Sequence, residues 1–134
     1  MKNLPHTPAQ TFAAHLLQAA QGIRAVFFDV DGILTRGELL YTEAGETIKQ
    51  FHTLDGHGLK LLQQAGIMPC IITGRDSAAL RARLAALGIT HAAYGISDKA
   101  AAATALLHTL KLDWHHAAAM GDDWPDLPLF TRCA

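Results

Sequence analysis

AVFFDVDGILT, residues 25–35, opens as an apolar run and closes on two carboxylates one residue apart, Asp29 and Asp31, followed by Gly32. A buried strand of this kind delivers both acids to its own C-terminal end. Open α/β sheets bind ligands in the crevice beyond the carboxyl ends of their strands. Carboxylates are rarely taken so close to a core without a cation or a proton. The plain alternative is a strand ending in an Asp-Gly turn, and later segments of the chain weigh against it.

At 134 residues the chain is about one domain, read here as a single unit over 1–134. Half of it is apolar, 17% is charged and the formal net charge is -1, the profile of an ordinary globule rather than a disordered or nucleic-acid-binding chain. Residues 1–20 are interrupted by Pro5, Pro8, His6, His15, Gln10 and Gln18. They fit neither a secretory leader nor a membrane span, so a cytoplasmic protein without a membrane partner is expected. Cys70 falls inside an expected buried strand and Cys133 is next to last, which reads as reduced thiols.

Working outward from residue 25, helical and extended patterns alternate, as in a parallel sheet covered by helices. An N-terminal helix is expected near Thr11 to Ala20 and a first strand from about Arg24 to Val30. A β-hairpin follows over Glu38 to Phe51, with Glu43 to Glu46 as its turn. A helix starts with Asp55 as N-cap and ends by Gly66. The strand Met68 to Thr73 comes next, and then a helix capped by Asp76 or Ser77, with Leu80, Leu84 and Leu87 on one face and Gly88 as stop. A short strand over His91 to Tyr94, a helix from Asp98 to Leu110 and a strand Ala117 to Met120 complete the plan before GDDWPDLP.

This arrangement collects the polar residues at one edge of the sheet. Asp29 and Asp31 end the first strand, Thr73 and Arg75 follow the second, Lys99 opens a helix, and Asp122, Asp123 and Asp126 follow the last strand. Right-handed crossovers bring these termini to one crevice. The set suits phosphoryl transfer. Magnesium takes one or two carboxylates together with phosphate oxygens and water, a carboxylate can attack phosphorus, and hydroxyl and lysine donors can stabilise equatorial oxygens. Other readings stay open. Thr73 can be a β-branched strand residue, and Lys99 a solvated first-turn residue, although lysine there opposes the helix dipole. Asp123 or Asp126 can cap the helix around Pro125 to Phe130. The histidines are scattered and lack zinc-ligand spacing, while His52 and His57 flank the expected mouth of the site.

DVDGILT at 29–35, ITGR at 72–75, SDK at 97–99 and GDDWPD at 121–126 together resemble, in order, the motifs of the haloacid dehalogenase superfamily of phosphatases. The resemblance implies a Rossmann-like parallel sheet with helices on both faces. It makes Asp29 the nucleophile and a metal ligand, and Asp31 the general acid/base whose backbone carbonyl also faces the metal. It assigns Thr73 and Lys99 to the phosphoryl group, and Asp122 to Mg2+. Between Asp31 and Thr73 there is room for a small β-hairpin flap and one helix, and between Thr73 and Lys99 for a helix and a strand, so no cap domain is expected.

The capless strings GETIKQFHTLDGHGLKLL (45–62), ITGRDSAALRARLAALGI (72–89) and GISDKAAA (95–102) resemble the 3-deoxy-D-manno-octulosonate 8-phosphate phosphatase subfamily from about Gly22 onward. That resemblance implies hydrolysis of this sugar-acid phosphate through an aspartyl-phosphate, for lipopolysaccharide biosynthesis, in a homotetramer. Matched position by position, it assigns substrate contacts to Asp31, His52, Thr53, Leu54, Asp55, Gly56, Lys60, Arg75, Arg83 and Lys99. The chain departs from the family at Leu54 and Lys60, where arginines are common, and lysine does not reproduce a bidentate arginine contact. The family also continues past the fourth motif with a strand, a helix and a glycine-rich tail, so the chain is expected to lack those parts. Two alternatives stand beside this reading. One keeps the chemistry on another nonulosonate or sugar phosphate, and the other is an inactive oligomerisation or regulatory module.

Overall fold

The computed structural model describes residues 11–134. The first half of the leader reading, residues 1–10, lies outside the described residues. Four parallel strands form the central sheet, ordered β5-β4-β1-β6: β1 is Ala25–Phe28, β4 Met68–Ile72, β5 Ala92–Ala93 and β6 Ala117–Met120. A separate antiparallel pair, β2 (Leu40–Thr42) and β3 (Gly45–Ile48), makes the hairpin. The helices are α1 (Ala14–Ala20), α2 (Thr53–Gln64), α3 (Ala78–Leu87), α4 (Lys99–Leu110) and the single turn α5 (Leu127–Phe130). There is no cap domain among the described residues, as the intervals between motifs predict.

The sheet has a core on each face because β1 and β4 are buried on both sides. Val26, Phe28 and Ile71 point to Leu59 of α2 and to Leu80, Leu84 and Leu87 of α3. Ala25, Phe27, Cys70 and Ile72 point the other way, to Ala103 and Leu107 of α4 and Leu129 of α5. Burying a leucine side chain such as Leu84 contributes about 2 kcal/mol, so these two layers hold the strand ends rigidly under the site. Burial also pushes the Cys70 thiol up to about 12, which keeps it protonated and inert. Helix α1 has no buried residue, and no described helix is long and apolar enough to cross a membrane.

The ends of the elements follow local chemistry. Ser77 caps α3, its Oγ accepting from the Leu80 N–H at 3.2 Å, and Gly88 closes the helix in the left-handed conformation. Asp98 caps α4 through the Ala101 N–H at 3.0 Å. Two expectations are corrected. The cap of α2 is His52, whose Nδ1 accepts from the Leu54 N–H at 3.1 Å, and Asp55 sits inside the first turn. The hairpin turn is tighter than four residues, since Thr42 already pairs with Gly45.

Candidate active site

Asp29 is the first residue beyond β1, and its backbone N–H donates to the carbonyl of Met120 at the end of β6, 3.0 Å away. The β4 chain exits through Thr73, whose N–H donates to Ala93 of β5, also at 3.0 Å. These ladder bonds extend the sheet by one residue and set the spacing of the strand ends. The resulting crevice holds about 270 Å³ and is lined by Asp29, Asp31, Thr73, Arg75, Lys99 and the Asp122–Asp126 turn.

At its floor Lys99 Nζ donates to Asp29 Oδ1 and to Asp126 Oδ1, both at 2.7 Å. All three residues are buried. The lysine at the start of α4 is therefore not a solvated first-turn residue. Burial alone would pull its ammonium below the ordinary value, but the hydrogen bonds it donates to Asp126 and Asp29 outweigh that and raise it. Burial pushes the Asp29 carboxyl up, and the hydrogen bond and charge of Lys99 offset this only in part.

Asp126, a candidate cap in the sequence, is a fixed strut. Its Oδ1 takes Lys99, and its Oδ2 accepts from the N–H groups of Asp122 and Asp123 at 3.2 and 3.3 Å. A Cβ on Gly121 would collide with this carboxylate, so the close approach requires glycine there. Asp123 caps the turn Trp124–Asp126, its Oδ1 accepting from the Trp124 N–H at 2.7 Å.

Carboxylate oxygens of Asp29, Asp122 and Asp126 lie within 4.8 Å of one another. Against Lys99 they leave a formal deficit that a divalent cation balances. With three hydrogen bonds on Asp126 and Lys99 on Asp29 Oδ1, the carboxylate oxygens without a side-chain partner among the described residues are Asp29 Oδ2 and both oxygens of Asp122. Gly32, at φ +98°, makes room for it, because any Cβ there would collide with the Asp122 carboxylate. Two carboxylates and open positions suit Mg2+. Outside the crevice, Asp113, His115 and His116 also bring ligand atoms within 4.8 Å, but they are mostly exposed and His116 Nδ1 is spent on the Asp113 N–H.

Thr73 is 1% exposed, and its Oγ1 accepts from the Arg75 N–H at 3.2 Å, which leaves the hydroxyl proton for another acceptor. Asp31 turns to different company. Its Oδ1 accepts from Lys49 Nζ, and Arg75 Nε stands 3.8 Å from its Oδ2. Arg75 Nη1 also donates to the Tyr41 hydroxyl at 3.1 Å. The sequence patterns assign no role to Lys49, Glu46 or Tyr41. In sequence Glu46 and Lys49 show only as charges near the start of β3 and just past its end, and Tyr41 leaves no signal.

The remaining expected contacts lie to one side. His52, Leu54 and Asp55 line a neighbouring cavity of about 310 Å³ with Arg36, Glu38 and Gln50. Gly56 is buried under Arg83, whose Nη2 donates to the His52 carbonyl at 3.4 Å, so Arg83 ties α3 to the start of α2. Thr53 and Lys60 line neither cavity.

No family model matches the chain. It is 42% identical, over 87% of its length, to the 3-deoxy-D-manno-octulosonate 8-phosphate phosphatase KdsC of Haemophilus influenzae. The cobalt-bound structure of the deoxy-D-mannose-octulosonate 8-phosphate phosphatase from that organism superposes with a TM-score of 0.84, and the match covers 68% of its chain. The chain belongs to the 3-deoxy-D-manno-octulosonate 8-phosphate phosphatase family of the haloacid dehalogenase superfamily. A further member of this family, from Moraxella catarrhalis, is solved with magnesium, phosphate and the octulosonate (KDO); it is 40% identical, with a TM-score of 0.84 over 89% of this chain and 68% of its own. The chain spans 64% of the length of the curated family members it matches.

Proposed function

We propose that the chain carries the catalytic site of a magnesium-dependent phosphomonoesterase that hydrolyses 3-deoxy-D-manno-octulosonate 8-phosphate, for lipopolysaccharide synthesis. The observation that carries this reading is the Lys99 ammonium held between Asp29 and Asp126, at the strand ends where Thr73 and Asp122 also meet. The magnesium, phosphate and KDO complex of the Moraxella relative supports the same reaction.

Asp29 attacks phosphorus in line, the bond from phosphorus to the sugar oxygen breaks, and the proton on Asp31 goes to that oxygen. Asp31, now a carboxylate, takes a proton from water as the water oxygen attacks the Asp29-bound phosphoryl group. The bond from phosphorus to Asp29 then breaks, releasing phosphate and regenerating the free nucleophile. Lys99 and Thr73 donate to the phosphoryl oxygens, where the transition-state charge lies. Magnesium, held by Asp29, Asp122 and the Asp31 carbonyl, would supply charge neutralisation and favour the ionised form of Asp29.

Arg75, His52, Leu54, Asp55 and Arg83 would form the sugar side of the site, while Thr53, Gly56 and Lys60 are assigned to it by the resemblance alone. A cytoplasmic homotetramer fits the family resemblance and the two free thiols, Cys70 and Cys133. One observation favours a second substrate: Leu54 is 70% exposed at the neighbouring cavity, where it offers no charge to a sugar-acid carboxylate. Phosphate release from the octulosonate 8-phosphate, with magnesium and with EDTA, tests the reading. Magnesium-dependent release is expected, and its absence with this substrate alongside turnover of another sugar-acid phosphate would transfer the assignment.

A further inference from the structure

The hairpin is held to the domain in an unusual way. Neither β2 nor β3 has a buried residue, and Leu40, Tyr41 and Ile48 are exposed. A two-stranded hairpin is at best marginal alone, so its attachment rests on what lies beside it. The Lys49 side chain, just past β3, is nonetheless 1% exposed. It contacts Asp31 Oδ1 and stands 2.6 Å from Glu46 Oε1, and the Glu46 side chain is 10% exposed. From outside, Arg75 approaches both acids, Asp31 at 3.8 Å and Glu46 at 4.0 Å, and donates to Tyr41 on β2. Two cations thus bridge two carboxylates, one on the flap and one in the crevice. A lysine gives up its hydration only where such partners replace it.

We propose that Lys49 is a positioning residue, which fixes the Asp31 carboxylate at the crevice and, through Glu46, tethers the hairpin to it. Flap and acid/base then move as one body. Only the catalytic consequence rests on the phosphatase reading.

In Lys49→Met the hairpin loses its tether and Asp31 its orientation. A misplaced catalytic group costs up to about 100-fold, so kcat should fall about 10- to 100-fold with KM nearly unchanged. Amide hydrogen exchange should quicken across 40–48 while β1 and β4 stay protected. Coupling is reciprocal, so Asp31→Asn should quicken the same hairpin amides with Lys49 intact. This second variant carries the test if Lys49→Met does not fold. Unchanged hairpin exchange in either variant overturns the proposal, as does a loss confined to KM or a kcat within about twofold of wild type. A wild-type chain without turnover would sink the phosphatase reading instead, and the exchange comparison would then decide the tether alone.

Discussion

Lys99 Nζ reaches Asp29 Oδ1 at 2.7 Å across seventy positions of sequence. The residue read as phosphate-binding therefore orients the residue read as nucleophile, and Asp126 holds it from the other side. The ammonium arrives without its hydration shell and is pre-aimed, the condition under which such a donor stabilises developing charge most.

Asp29→Asn should abolish phosphate release, by about a thousandfold or more. It also removes a carboxyl whose pKa burial raises. A buried acid with a raised pKa loses stability as pH rises from the ordinary carboxylate range through its folded value, and the loss is complete above it. Thermal denaturation at neutral pH without added magnesium should therefore show the variant at least as stable as wild type.

Lys99→Met leaves Asp29 and Asp126 buried without a cation. Breaking a buried pair from one side costs about 3 kcal/mol or more. Urea denaturation at neutral pH should show a loss of that order, and the gap should narrow on acidification as the orphaned carboxylates take up protons.

At the alkaline end the sign is fixed by the raised pKa values of Lys99 and Lys49, both above 10.5 in the folded chain. Their contribution is fully present below 10.5 and is lost as pH rises through the folded values. Stability measured across that range should fall in wild type, and less steeply in Lys99→Met.

Gly32→Ala would force a side chain into the left-handed region against the Asp122 carboxylate. Displacing a ligand or its support typically costs about 10- to 100-fold in metal affinity. Calorimetric titration with Mg2+ or Mn2+ should show a loss in this range, with fold stability reduced by about 1–3 kcal/mol of strain.

Much of this was legible in the sequence because buried strands and leucine spacing leave period-specific traces. β4, β6 and α4 begin and end within a residue of expectation, as do the Leu80, Leu84 and Leu87 face and the Ser77 cap. The start of α2 was less legible. Histidine is an uncommon cap, and Asp55 offered a better-known one three residues further in. Asp126 was undecidable because a capping aspartate and a buried strut have the same local sequence; only Lys99, brought from another element, separates them. The Lys49, Glu46 and Arg75 network was invisible for the same reason, as it joins an exposed hairpin to a strand end through tertiary contact.

The hydrogen bond from the Asp29 N–H to Met120 has a consequence for how the chain can vary in length. Phe28 is registered on Met120, so β6 acts as a ruler laid beside β1, with Asp122 marked two residues past its end. Removing one residue from Ala117–Met120 would shift that mark by about 3.3 Å, whereas metal–ligand distances tolerate only about 0.2 Å. Deletions should be refused in β6, even though its residues are mostly alanines with little side chain to lose.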